Sequence, residues 1–138
     1  MTTIPHFDLY YADGLALLDL PKTLNLSAFP PSERSKDMYL TLSRAIEDIK
    51  RLKTGWRPSP HDLADAPLLT SWSFAGDMMA GGTHLCGIVI SHPRVRSGTF
   101  WHTSVLVAID TQTWSWARTV SRYYKIETRA TNDGPLKP

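Results

Sequence analysis

The chain has 138 residues, 42% of them hydrophobic, and a net charge of +2 from 15 basic and 13 acidic groups; that suits one domain and is too balanced for charge alone to imply nucleic acid. Its single cysteine, Cys86, excludes an internal disulfide framework, and no Cys/His pair has zinc-ligand spacing, so a reducing compartment, no metal and no cofactor are expected. The first residues carry neither a basic nor an apolar leader, and no apolar run approaches the ~18 residues of a membrane helix, which predicts a cytoplasmic protein without a membrane partner.

Prolines divide the chain into readable pieces. Asp8 to Leu20 is apolar-rich and reads as a short helix ended by Pro21, weakened by Gly14. After Pro30-Pro31, Met38, Leu42, Ala45, Ile46, Ile49 and Leu52 recur at spacings of three and four, the period of one helix face. Ser32 and Glu33 mark its start. Lys50, Arg51, Lys53 and Gly55 mark its end, so a long amphipathic helix is predicted over Ser32 to Thr54. Between Trp56 and Gly82 the pattern blurs: Ser59 or Asp62 can cap one turn, and Gly81-Gly82 reads as a turn or link.

The β signals follow. His84 to Ile90 is a nearly continuous apolar run ending at His92-Pro93, where a proline requires a strand end, an edge or a bulge. Cys86 within it reads as a packing thiol. Thr99 to Asp110 has apolar groups on both faces, as a buried central strand would. Trp114 to Ile126 forms a third run, with Trp116, Arg118, Val120, Arg122, Tyr124 and Ile126 on one face; a helix over Trp116 to Tyr124 fits the same residues. The expected fold is therefore α+β: N-terminal helices, one of them long, packed on a C-terminal antiparallel sheet of three or four strands. Residues 1–127 form one domain on this reading, mainly helical over 1–58 and mainly β over 59–127, with 128–138 a disordered tail.

Asp62-Leu63-Ala64-Asp65-Ala66-Pro67 with Trp72, Cys86-Gly87-Ile88-Val89 leading to His92-Pro93, Thr103-Ser104, and Trp116-Ala117-Arg118-Thr119-Val120-Ser121-Arg122-Tyr123-Tyr124 carry a resemblance. In these elements, spanning roughly residues 61–126, the chain resembles an uncharacterised bacterial family, a domain of unknown function. The resemblance implies that residues 61–126 form one structural unit and that their polar residues are a family feature. It implies no activity.

Strand alternation places Arg118, Arg122 and Tyr124 on one face, with Thr103 approaching from the next strand, a set suited to an anion because guanidinium forks and hydroxyls complete an oxygen shell. Ser104 and His92 complete the ligand candidates. The competing structural role pairs the two arginines with Asp110 or Asp65. Ser104 with His92 or His102, oriented by Asp110, has the residue types of a nucleophilic triad, but no nucleophile-elbow motif supports it. His84, His92 and His102 are spaced by eight and ten, which is no ligand pattern. Of five tryptophans, Trp101, Trp114 and Trp116 are candidates for one aromatic patch.

From Arg94 to Arg129 the chain is locally basic, with Arg94, Arg96, Arg118, Arg122, Lys125 and Arg129 against Asp110 and Glu127. The functional expectation is a non-enzymatic interaction or regulatory module with a protein partner. A nucleic-acid-binding module using the basic, Trp-rich β part is the alternative, and a small enzyme using the His/Ser/Arg/Tyr cluster comes third.

Overall fold

Along Thr83–Ile90 buried and half-exposed residues alternate without a break, the period of a strand with one face in a core, and such strands dominate the molecule. The structure is a computed structural model that describes residues 9–12, 14–18, 33–76 and 83–130. In chain order it contains β1 (Leu9–Ala12), β2 (Leu15–Leu18), α1 (Glu33–Lys53), β3 (Leu68–Gly76), β4 (Thr83–Ile90), β5 (Thr99–Asp110), β6 (Trp116–Thr119) and β7 (Tyr123–Arg129). The sheet order is β1-β2-β5-β4-β3-β7-β6, and β6 returns to pair with β5, so five strands close into a barrel. A ring with an odd number of strands cannot alternate direction all the way round. One pair must be parallel, and here it is β3 with β7, Leu68 opposite Lys125.

Closure of so small a barrel requires bends, and three irregularities supply them. β3 carries an extra residue between Thr70 and Ser73 against β4, β5 one between the partners of His84 and Cys86, and β5 another between Leu106 and Ala108 against β6. Each shifts the alternation, so residues three apart share one face: Leu69 with Trp72, and Leu106 with Ile109, all in the interior cluster with Leu85, Val89, Tyr124 and Ile126. Gly87 makes the β3 irregularity possible, since a Cβ there would lie 2.7 Å from the Thr70 carbonyl oxygen and 3.0 Å from Trp72 Cα.

A second cluster covers the barrel from outside. Ala45, Ile49 and Leu52 of α1 meet Leu15 and Leu17 of β2, Val107 and Ala108 of β5, and Trp116 of β6. Over Ala108 and Ile109, β5 has β6 on one edge and β2 on the other.

This architecture overturns the expected α+β fold of a long helix on a three- or four-stranded sheet. The molecule is mostly β, and the helix is an addition to a closed barrel. The segment expected as a first helix is the β1–β2 hairpin, turned at Gly14 with a φ of 73°, a conformation for which glycine is suited. Trp116 to Tyr124 is neither one strand nor a helix: it turns back at residues 120–122, pairing Arg118 with Tyr123. β7 continues to Arg129, and the Ala130 amide donates to the Trp72 carbonyl at 2.7 Å. Residues 131–138 of the expected tail and the Gly81-Gly82 link lie outside the described residues.

Candidate functional site

At one end of the barrel the residue 91–98 loop between β4 and β5 meets the tight β6–β7 turn, and polar groups gather there. His92, 9% exposed, is held by a bridge to Val95 and by its ring contacts with Trp101, at 5.1 Å between centroids, and Tyr124, at 6.1 Å. Its Nδ1 lies 3.0 Å from the Arg94 backbone nitrogen and accepts that N–H. In the neutral ring this leaves the proton on Nε2, available to donate. Trp101 Nε1 donates to the Tyr124 hydroxyl at 3.2 Å, so the hydroxyl proton of Tyr124 is likewise left to donate.

Arg122 completes the group. Its Nε is buried and has no hydrogen-bond partner. Among the described residues no carboxylate forms a salt bridge with Arg94 or Arg122. Burial first, then the charges of Arg122 and Arg94, hold His92 below the usual histidine range. Burial also raises Tyr124, against the opposing influence of the Trp101 hydrogen bond and of Arg122. Two cations and a neutral imidazole therefore share one barrel end, with the protonated Tyr124 phenol, 2% exposed, behind them: a set of donors with positive charge and, among the described residues, no paired anion.

The other predicted site residues separate. Arg118 turns away from this end: its Nε donates to Asp48 of α1 at 2.9 Å, and its NH1 to the Thr119 carbonyl at 2.6 Å. Its side chain is 4% exposed, so it fastens the helix to the barrel. Its acid is Asp48, neither Asp110 nor Asp65, and its separation from Tyr124 follows from the turn at 120–122, which reverses the alternation assumed for a single strand. Thr103 is spent internally, its Oγ1 donating to the Ser104 carbonyl and accepting from the Leu85 amide. Ser104 bonds Ser121, Oγ to Oγ at 3.0 Å.

Asp110 orients no histidine. Its carboxylate accepts from the Gln112, Thr113 and Ser115 amides and from the Thr113 and Ser115 hydroxyls, closing its own turn. Burial pushes that carboxyl up, but these bonds outweigh it and hold the group below the usual range. His102 stands edge-on to Phe100, and His84 Nδ1 lies 2.7 Å from the Thr103 carbonyl oxygen. Among the described residues no group of three or more His, Cys, Asp or Glu side chains could hold a metal.

The expected tryptophan patch is also divided. Trp116, 5% exposed, lies under α1; Trp101 packs at the His92 end; Trp114 stacks on Trp72 elsewhere. Two features had little signal in the sequence. The Trp72/Phe74/Trp114 cluster around Arg129 joins β3 to residues forty or more positions away, with only the Trp-x-Phe alternation as a local hint. Asp48 as partner of Arg118 is seventy positions distant.

A family of unknown function (DUF6634) matches residues 38–133, which takes in the helix from its sixth residue on, the whole barrel and the basic end. No curated protein and no solved structure matches the chain. No helix among the described residues is long and apolar enough to cross a membrane.

Proposed function

We propose that this chain, which belongs to the family of unknown function DUF6634, is a non-enzymatic binding module that holds an acidic segment of a protein partner at the His92/Arg94/Arg122/Tyr124 end of its barrel. The observation that carries this is the buried, unpartnered Nε of Arg122 beside a second cation and a neutral histidine. A buried donor left unmade costs about 1–3 kcal/mol, which an incoming carboxylate would relieve while its second oxygen reaches the neighbouring donors. Loops at the end of a rigid barrel are where binding groups are commonly carried.

Nucleic acid is the second reading. Phe100, 57% exposed, stands beside the exposed Arg94 and Arg96 loop and offers one face for a base. Arg118 and Trp116 no longer contribute to it. A titration with hexaglutamate peptide and with a single-stranded oligothymidine at low and moderate salt separates the two. Peptide binding weakened about tenfold by Arg122→Gln, with stability unchanged or raised because a buried unpartnered donor is removed, is expected. Binding of the oligonucleotide alone transfers the site to the second reading, and binding of neither removes both.

A further inference from the structure

Away from the basic end, the side of the barrel where β3 and β7 run in parallel carries an aromatic cage around a cation. The Arg129 guanidinium carbon lies 5.2 Å from the Trp72 ring centroid, 5.1 Å from Phe74 and 5.8 Å from Trp114. Trp72 meets Phe74 edge to face at 5.4 Å and an 88° interplanar angle, and stacks with Trp114 at 6.0 Å and 22°. Rings at right angles and in parallel make walls, not a single platform. Beside them opens a cleft of about 310 Å³ lined by Trp72, Trp114, Thr128 and Arg129, within the size range of small-ligand sites.

The backbone around the cage is held in unusual conformations. Ser71, Trp114 and Thr128 have φ of 51°, 55° and 55°, in the left-handed region that residues other than glycine rarely adopt. Thr128, β-branched, is an outlier by type as well. One of these residues precedes Trp72, one is Trp114 itself, and one precedes Arg129. Strain of this sort clusters where a geometry is imposed for a purpose, and three of the four such residues among the described ones are cage residues or precede one, the fourth being Ser91 at the other end, with φ of 61°.

We propose that this cage is a binding site for a methylated or quaternary ammonium group, and that Arg129 is its resident cation, which the ligand displaces into the adjoining cleft. Three electron-rich faces attract any cation, and a guanidinium, weakly hydrated and planar, fills the place in the unliganded protein. A methylated ammonium is suited to replace it because its charge is spread over methyl groups that also gain contact with the rings. Two cations would repel one another in the cage. Occupancy is therefore exclusive, and Arg129 sets the affinity by competing.

The test follows tryptophan fluorescence during titration with choline and with tetramethylammonium chloride, using sodium chloride to control ionic strength. The parent should saturate only at high concentration. Arg129→Ala should bind at least about tenfold more tightly, as removal of a competing cation–π partner allows, and Arg129→Ala combined with Trp114→Ala should lose the response. A folded Arg129→Ala protein without saturable binding overturns the proposal, as does undiminished binding after Trp114 is removed. Should Arg129→Ala fail to fold, choline added to the parent must shift the indole N–H resonances of Trp72 and Trp114; unshifted resonances overturn the proposal equally.

Discussion

Arg118 brings a permanent charge to a place nearly closed to water, and its neighbours answer it at Nε, at NH1 and across the face of the guanidinium. Asp48 takes Nε, two carbonyls take NH1, and the Tyr123 ring lies under the guanidinium at 5.2 Å. Removing the arginine leaves Asp48, itself only 22% exposed, with Arg51 at 3.9 Å as its one remaining cation among the described residues. Arg118→Met should therefore cost about 2–4 kcal/mol in urea titration, and adding Asp48→Leu should recover part of the loss, because the stranded charge goes as well. His92 makes a prediction in pH. Its folded-state pKa lies below the ordinary 6.5, so as pH falls through that value the unfolded chain takes up a proton that the folded one refuses. Stability is then lost on acidification, from near pH 6.5 down to the folded pKa, by up to about 1.4 kcal/mol per pH unit for one group. Urea midpoints for the parent and His92→Gln should diverge across that window, the parent falling faster. A bound anion would favour protonated His92, so acidic-peptide affinity should rise as pH falls.

At the scale of elements, the irregularities in β3 and β5 matter as much as the strands. The one in β3 depends on Gly87, where a methyl group would press on backbone atoms that no rotamer change can move. Gly87→Ala should cost about 1–3 kcal/mol by thermal or urea unfolding, although alanine is the better strand residue on propensity alone. A neutral outcome would mean that β3 can be straightened and that the cage is not tied to it. The helix can be tested the same way. Its buried line is Leu42, Ala45, Ile49 and Leu52, with Ile46 only half-buried and Met38, Tyr39 and Leu40 exposed. Ile49→Ala should cost about 2–5 kcal/mol and Ile46→Ala less, since the cost follows the volume of the cavity left behind.

For the molecule as a whole, the barrel is closed by contacts far apart in the chain, and one of its strands still has an edge to cover. β2 covers the C-terminal end of β5, Ala108 to Asp110, and Leu15 and Leu17, at 3% and 2% exposure, pack with Val107 and Ala108. The family match begins at residue 38, beyond this hairpin. Removing residues 1–20 should nevertheless lower the thermal midpoint by more than about 5 °C and bring concentration-dependent association, because it bares both an apolar face and a strand edge. An unchanged midpoint would show that the barrel and α1 are sufficient.

What the chain determines locally was legible from its residues. The three-and-four spacing from Met38 to Leu52 and the basic residues before Gly55 mark the helix, and alternation from His84 to Ile90 and from Thr99 to Asp110 marks two strands with nearly their observed ends. These are consequences of backbone periods, which each segment carries by itself. The rest was decided in three dimensions. Leu15-Ala16-Leu17-Leu18 is a strand because the edge of β5 accepts it, a reason that lies some ninety residues away. The set Arg118, Arg122 and Tyr124 shares a face only if residues 116–126 are straight, and the turn at 120–122 sends Arg118 to the helix and Tyr124 to the interior. Period-two reasoning reverses with each inserted residue, and bulges and tight turns are set by barrel closure, a condition on all five strands at once that no single stretch of sequence contains.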